Sequence, residues 1–164
     1  MQTKRTTASA GKSAKATNAI QLLKNDHAEV KALFDRFDKL GDRGTKSKEE
    51  IVREACAKLT VHATVEEEIF YPAARAVQDA EDLLNEAEVE HATAKELIAK
   101  LDDMAATDEM FDANFTVLAE YIKHHVKEEE GELFPKIQKS DLDLDALGAE
   151  MAARKEELVA ELTA

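Results

Sequence analysis

The sequence has few of the residues that disulfide-stabilised, β-rich or membrane proteins need. It contains one cysteine, two prolines, five glycines and no tryptophan. The single Cys56 excludes an intramolecular disulfide, is typical of a reducing compartment, and is expected on a helix face. No apolar run approaches the ~20 residues of a membrane span, and the N-terminus lacks a signal-like apolar stretch. We therefore expect a cytoplasmic protein with no membrane partner.

Outside the N-terminus, acidic side chains outnumber basic side chains. The net charge is −13, although the first eighteen residues contain four basic and no acidic side chains. A strongly acidic surface repels nucleic acid, so we expect no nucleic-acid partner. Residues 1–18 are rich in Ser, Thr and Ala and are predicted to form a disordered basic tail.

Helix-forming residues dominate the remainder. Apolar spacing predicts helices over about 18–40, 47–72 and 80–105, a fourth beginning near Thr107 or Asp108, and a fifth over about 143–162. Ser47 and Glu50 resemble a capping box, and Pro72 is expected to bend or end the second helix. The predicted fold is all-α, an up-down antiparallel four-helix bundle over 19–140 with an additional amphipathic C-terminal helix in 141–164. That helix is expected to place one apolar side inward: Leu147, Met151, Leu158 and Leu162.

An internal repeat divides the bundle into two similar helical hairpins. The segment that begins His27-Ala-Glu-Val-Lys aligns with the one that begins His91-Ala-Thr-Ala-Lys. The second helix of each hairpin carries His-x-x-x-Glu-Glu, at His62 and at His125, and then reaches a proline. The repeat predicts a pseudo-twofold axis between the hairpins.

The repeated residues have the chemistry of a metal site. In each His-x-x-x-Glu pair the two side chains lie one helical turn apart and on the apolar stripe. Buried carboxylates are costly unless they are paired or metal-bound. With a rise of about 1.5 Å per residue, His27 lies roughly 20 Å from the end of its helix, and His62 lies roughly 22 Å into the next. The predicted ligands therefore lie near one level: His27, His62, Glu66, His91, His125 and Glu129.

The ligand set favours iron. It combines imidazole and carboxylate without thiolate, which suits iron or manganese better than structural zinc. His124 also has a carboxylate one turn on, at Glu128, and is the alternative to His125. The proline-anchored repeat selects His125.

These motifs resemble the hemerythrin-like, or HHE cation-binding, domain. The resemblance covers about residues 20–138 and rests on four segments: Asp26-His27, His62-x-x-x-Glu66-Glu67-Glu68-Ile69-Phe70-Tyr71-Pro72, Glu90-His91, and His125-x-x-x-Glu129-Glu130-x-x-Leu133-Phe134-Pro135. The family implies two iron ions in an oxo- or hydroxo-bridged centre. It also implies that the four histidines are terminal ligands and that Glu66 and Glu129 bridge the metals.

One position departs from the oxygen-carrying members of that family. They have a further histidine one turn after His91, where this chain has Lys95. Four histidines, two bridging carboxylates and one bridging oxygen leave one position open on each of two octahedral metals. The resemblance therefore implies a protein that binds, senses or reduces dioxygen, peroxide or nitric oxide, with reversible oxygen carriage less favoured.

Other interpretations remain open at this point. The chain can be an iron-responsive or iron-storing module without catalysis, or a helical interaction protein; it can also dimerise through its C-terminal helix. Tyr121 is expected in the core, with a position beside the site as the alternative. Lys31 and Lys95 are expected at the rim, paired with acids. Gly131 interrupts a helix at a cost of ~1 kcal/mol for a reason that the sequence does not indicate.

Overall fold

A computed structural model describes residues 18–163 of the chain, which form helices and connecting turns without a strand. Almost all of the predicted basic tail, residues 1–17, lies outside this range. Five long helices are present: α1 (Ala19–Leu40), α2 (Thr45–Val65), α3 (Glu81–Asp102), α4 (Phe111–Glu128) and α5 (Leu144–Thr163). A π-helical turn extends α2 (Glu66–Phe70) and α4 (Glu129–Leu133), and a short helix follows each (Tyr71–Ala74 and Phe134–Gln138).

The first four long helices form the predicted antiparallel bundle. The α1–α2 and α3–α4 hairpins make the most extensive contacts, and α2 packs on α3 while α1 packs on α4. Short connections between long helices produce this up-and-down order. None of the helices in residues 18–163 is long and apolar enough to cross a membrane.

The observed helix ends correct two sequence predictions. Asn18 caps α1, since its Oδ1 accepts the Gln21 backbone N–H at 2.9 Å. The prediction that a Ser47–Glu50 capping box starts α2 is wrong, because the helix already begins at Thr45. It follows Gly44, whose φ of 72° favours glycine. Asp108 does accept the Met110 N–H, but α4 begins only at Phe111 because a turn intervenes.

Each π-helical turn carries one of the two predicted carboxylate ligands at its first position. Glu66 begins the first turn and Glu129 the second, and both turns lead directly into the short proline-containing helices. Pro72 therefore does not end the helical path, which continues to Ala74, because the wider turn accommodates the missing N–H. A Cβ at Gly131 would meet nothing within 4 Å, so packing does not require this glycine.

The apolar core consists of two clusters separated along the bundle axis. Cluster 1 lies toward the α1–α2 and α3–α4 loops and includes Phe34, Phe37, Cys56, Leu101 and Phe115. Cluster 2 lies at the opposite end and includes Leu23, Phe70, Leu84, Phe134 and Met151. Cys56 is buried in cluster 1, where burial raises the pKa of its thiol to about 12. A polar layer occupies the space between the clusters.

The fifth helix packs on α1, α2 and the first π-helical turn. Met151 is fully buried in cluster 2, and Leu147 and Leu158 are partly buried against it. The prediction that Leu162 faces inward is wrong, because its side chain is 56% exposed. At Leu162, α5 has passed the polar layer and extends beyond cluster 2, which it covers.

Candidate metal centre

The polar layer contains all six predicted ligands. Their relative exposures are 0–8%: His27 8%, His62 7%, Glu66 0%, His91 6%, His125 5% and Glu129 3%. Each long bundle helix contributes one histidine, and the two π-helical turns contribute the glutamates. Six ionisable side chains are thus concentrated in the interior of an otherwise apolar bundle, where an isolated charge is unstable.

The six side chains form two linked groups. His62 Nε2 lies 2.7 Å from Glu66 Oε1, and His91 Nε2 lies 3.6 Å from the same oxygen. Glu129 Oε1 is 3.2 Å from His27 Nε2, while its Oε2 is 3.1 Å from His125 Nε2. Each glutamate therefore faces one histidine from each hairpin.

The ligand atoms meet the geometric requirement for two metal ions. His27, His62 and Glu129 have ligand atoms within 4.8 Å of one another, as do Glu66, His91 and His125. Although these atoms lie close together, their angles do not suit hydrogen bonds, and several buried atoms have no hydrogen-bond partner: Nε2 of His27 and His62, both oxygens of Glu66, and Oε1 of Glu129. Buried polar atoms are normally satisfied. Their convergence on the same space fits metal ions held by these residues.

The protein's own charges compensate for burial in this layer. Burial by itself would lower the pKa of His62 and His125, but nearby carboxylates outweigh it and raise these pKa values to about 10 and about 11. Burial would also raise the pKa of Glu66, yet His62 and His91 hold it well below its usual range. Metal binding replaces protons on the imidazoles by metal ions.

A ring of four acidic residues surrounds the ligand layer. His62 Nδ1 lies 2.9 Å from Asp26 Oδ2, and His125 Nδ1 lies 3.1 Å from Glu90 Oε1. In the same way, Glu130 lies 3.3 Å from His27 Nδ1, and Glu67 lies 3.8 Å from His91 Nδ1. A carboxylate on the outer nitrogen orients a ligating imidazole and increases its basicity.

The sequence places these acids next to the ligands, although it does not show which histidine each acid contacts. An acidic residue directly precedes the first histidine of each hairpin, and another directly follows each ligand glutamate. The bundle brings each preceding acid to the neighbouring helix of its own hairpin. It brings each following acid, Glu67 or Glu130, to the opposite hairpin.

Two of the outer carboxylates also contact lysines. Lys155 of α5 lies 2.5 Å from Asp26 Oδ1, and Lys95 lies 2.5 and 2.8 Å from the two Glu67 oxygens. Burial opposes ionisation of Asp26, but His62 and Lys155 together lower its pKa. The expected pairing of Lys95 with an acid is therefore observed, whereas Lys31 is exposed and makes no ion pair within residues 18–163.

The tyrosine beside the site is Tyr71. Its hydroxyl donates to Glu129 Oε2 at 2.6 Å and lies 3.2 Å from His91 Nε2. Burial and the neighbouring carboxylates raise its pKa, so the hydroxyl stays protonated and acts as a donor. Both interpretations of Tyr121 are wrong: it is 43% exposed, because it lies on the outer face of α4, whereas Ile122 faces cluster 1.

The histidine that the repeat selects is the one that lies in the buried layer. His125 lies in the buried layer, whereas the His124 side chain is 64% exposed and lies 3.1 Å from Glu128. Successive helical residues point about 100° apart, so only one of them can face the bundle interior.

A small cavity adjoins the imidazole side of the layer. It has a volume of about 50 Å³ and contacts all four histidines. The other polar residues that line it are Asp26, Thr60 and Lys95. The rest of the lining is apolar: Val30, Leu59, Ala63, Ala94, Ile98, Ile122 and Val126. The cavity is large enough for a molecule of a few heavy atoms.

The family model for the hemerythrin HHE cation-binding domain matches residues 18–137. The chain belongs to the hemerythrin HHE cation-binding family. The matched range contains all six predicted ligands and their four outer carboxylates, and it ends before α5. The general function of this hemerythrin-like chain is therefore the binding of metal cations.

A solved structure supports the fold assignment. The chain is similar to the crystal structure of a hemerythrin HHE cation binding domain-containing protein from Mycobacterium kansasii, with a TM-score of 0.72 and 24% sequence identity. The alignment covers 88% of each chain, which is more than the four-helix bundle alone. No curated protein matches this chain.

Proposed function

We propose that this hemerythrin-like protein holds two iron ions and binds, senses or reduces a small oxidant such as dioxygen, peroxide or nitric oxide. The observation that carries the proposal is the pair of linked His/Glu groups directly beside a small apolar cavity. Bound iron supplies electrons and a coordination position for the oxidant. The cavity has room for an oxidant of a few atoms.

The donor set supports iron as the metal. Four imidazoles and two carboxylates, with Cys56 remote in cluster 1, form a mixed nitrogen and oxygen site without thiolate. Structural zinc sites usually use cysteine and close around a single ion, whereas His/carboxylate sites with open positions suit iron. Manganese and zinc are the weaker alternatives.

The protein residues hold the charge and orientation of the centre. Glu66 and Glu129 each face one histidine of each hairpin, so both carboxylates would help to hold the metal ions. The outer acids fix the imidazole rings through Nδ1, and the Tyr71 hydroxyl holds Glu129. The largely apolar cavity lies on the imidazole side of the layer.

Lys95 supports reaction or sensing over reversible oxygen carriage. It occupies the position of the fifth histidine in oxygen carriers and turns toward Glu67 instead of supplying another imidazole. The Lys95 side chain is 55% exposed and also lines the cavity. An ammonium group at this edge favours an anionic or polar oxidant over neutral dioxygen.

The direct test combines elemental analysis with the visible spectrum of the purified protein. We expect two equivalents of iron, loss of metal from His62→Ala and Glu129→Ala, and retention of both equivalents in His124→Ala. The protein is then reduced without oxygen and exposed to peroxide, nitric oxide or air in separate experiments. A long-lived reversible spectrum in air would contradict the preference against carriage, and absence of iron would refute the proposal.

A metal-responsive module without turnover is the second candidate. The specific observation is that Lys155 joins α5 to His62 through Asp26, so the position of α5 depends on the state of the metal layer. Melting temperatures with and without chelator, followed by a peroxide-consumption assay, separate the candidates. A large metal-dependent shift without peroxide loss favours the module.

A further inference from the structure

A second group of potential metal ligands lies outside the buried layer. It consists of Glu90 on α3 and of His124 and Glu128 on α4. Side-chain exposures are 17% for Glu90, 33% for Glu128 and 64% for His124, so the group lies at the protein surface and opens to solvent. None of its members belongs to the six buried ligands.

The geometry of this group suits a single divalent cation. His124 Nε2 lies 3.1 Å from Glu128 Oε1 and 3.9 Å from Glu90 Oε2, and all three ligand atoms lie within 4.8 Å of one another. Metal–ligand bonds of about 2.0–2.2 Å fit at the centre of such a triangle after small side-chain movements. One imidazole and two carboxylates form a site for zinc, iron(II) or manganese(II).

Glu90 connects this surface group to the buried centre. One of its oxygens, Oε1, lies 3.1 Å from His125 Nδ1, while Oε2 faces His124. Residues of both groups line a narrow cavity of about 10 Å³, namely Glu90 and Glu128 from the surface group and His125 and Glu129 from the buried layer.

The pseudo-twofold axis supplies an independent argument for a cation at this place. In the first hairpin, Asp26 is the counterpart of Glu90: one oxygen contacts His62, and the other contacts the Lys155 ammonium. Within residues 18–163, no lysine or arginine pairs with Glu90 or Glu128. The second hairpin therefore has the carboxylate but not the cation.

The repeat also shows that the extra ligands are specific to the second hairpin. When His62 is aligned with His125, the counterparts of His124 and Glu128 are Val61 and Val65, both of which are buried. The first hairpin thus has apolar side chains where the second has metal-binding side chains.

We propose that Glu90, His124 and Glu128 form a surface site for a divalent metal ion, which holds Glu90 against His125 as Lys155 holds Asp26 against His62. This site is separate from the proposed iron centre in the buried layer, although the second hairpin contributes residues to both. Its three protein ligands leave coordination positions to water, so binding is weaker than in the buried layer.

The test counts bound manganese(II) on tag-free full-length protein prepared without metal. Unbound manganese(II) is measured by its electron paramagnetic resonance signal during a titration of wild type, His124→Ala and Glu128→Gln. Glu96→Gln, an exposed acid on α3, is the matched control. Because His124 is exposed and alanine favours helix, the His124→Ala variant is expected to fold.

We expect three equivalents in wild type and Glu96→Gln, and two in His124→Ala and Glu128→Gln. One equivalent in wild type and none in His124→Ala would support the surface site while contradicting manganese binding by the buried layer. Equal numbers in wild type and both site variants would overturn the surface site. The two proposals therefore fail in different ways.

Discussion

Asp26→Asn tests how far an outer carboxylate controls the buried centre. The substitution keeps the size of the side chain and removes the negative charge that lies 2.9 Å from His62 Nδ1 and 2.5 Å from Lys155. Loss of such a partner of a metal ligand typically lowers metal affinity 10–100-fold, or about 1.4–2.7 kcal/mol. Because Asp26 supports only His62, we expect this loss at the metal held with His27 and little change at the other.

The measurement is a titration of the metal-free protein with iron(II) under anaerobic conditions against a competing chelator. Wild type should fill both positions at similar chelator strength, whereas Asp26→Asn should separate into one tight and one weakened step. Glu29→Gln is the matched control, since Glu29 lies on the same helix and pairs with Lys58 at the surface, 52% exposed. Unchanged affinity in Asp26→Asn, or an equal loss in Glu29→Gln, would refute the reasoning.

Three further predictions concern the metal-free protein. Tyr71→Phe removes the 2.6 Å hydrogen bond to Glu129, so the free energy of unfolding in urea should fall by about 1.5–3 kcal/mol; an unchanged midpoint would contradict this role. The pKa values of His62 and His125 are raised to about 10 and 11, so their stabilisation is complete below the unfolded value of about 6.5 and is lost as the pH rises through 10–11. Urea unfolding between pH 6 and 10 should show falling stability, and a flat or rising profile would exclude the charged imidazoles. Gly131→Ala should raise stability by about 0.5–1 kcal/mol in thermal unfolding, because a Cβ meets nothing within 4 Å; a lower melting temperature would show that the π-helical turn needs glycine.

The bundle and its ligand layer could be predicted because they rest on patterns within single helices. The apolar stripes and the repeat place His62 and Glu66 one turn apart and select His125 over His124, and the structure brings all six predicted ligands together. Helix identity and the facing of long periodic segments depend on local spacing, which the sequence contains. Whether these six residues bind iron stays a prediction.

The outer contacts could not be predicted because they depend on distances between helices. The link between Asp26 and Lys155 joins residues far apart in the chain, and nothing local shows that Lys155, and not the adjacent Arg154, reaches the metal layer. Tyr71 was missed for a related reason. It follows a π-helical turn, and the extra residue in that turn rotates the side chain relative to ordinary helical spacing.

The crossed arrangement of the glutamates has a consequence for how the layer assembles. Glu66 of the first hairpin faces His91 of the second, and Glu129 of the second faces His27 of the first. Glu67 and Glu130 cross in the same directions. Neither hairpin therefore contains a complete metal position, and a polypeptide with one hairpin would complete the layer only by associating with another copy. Joining two copies in one chain makes assembly of the layer independent of protein concentration.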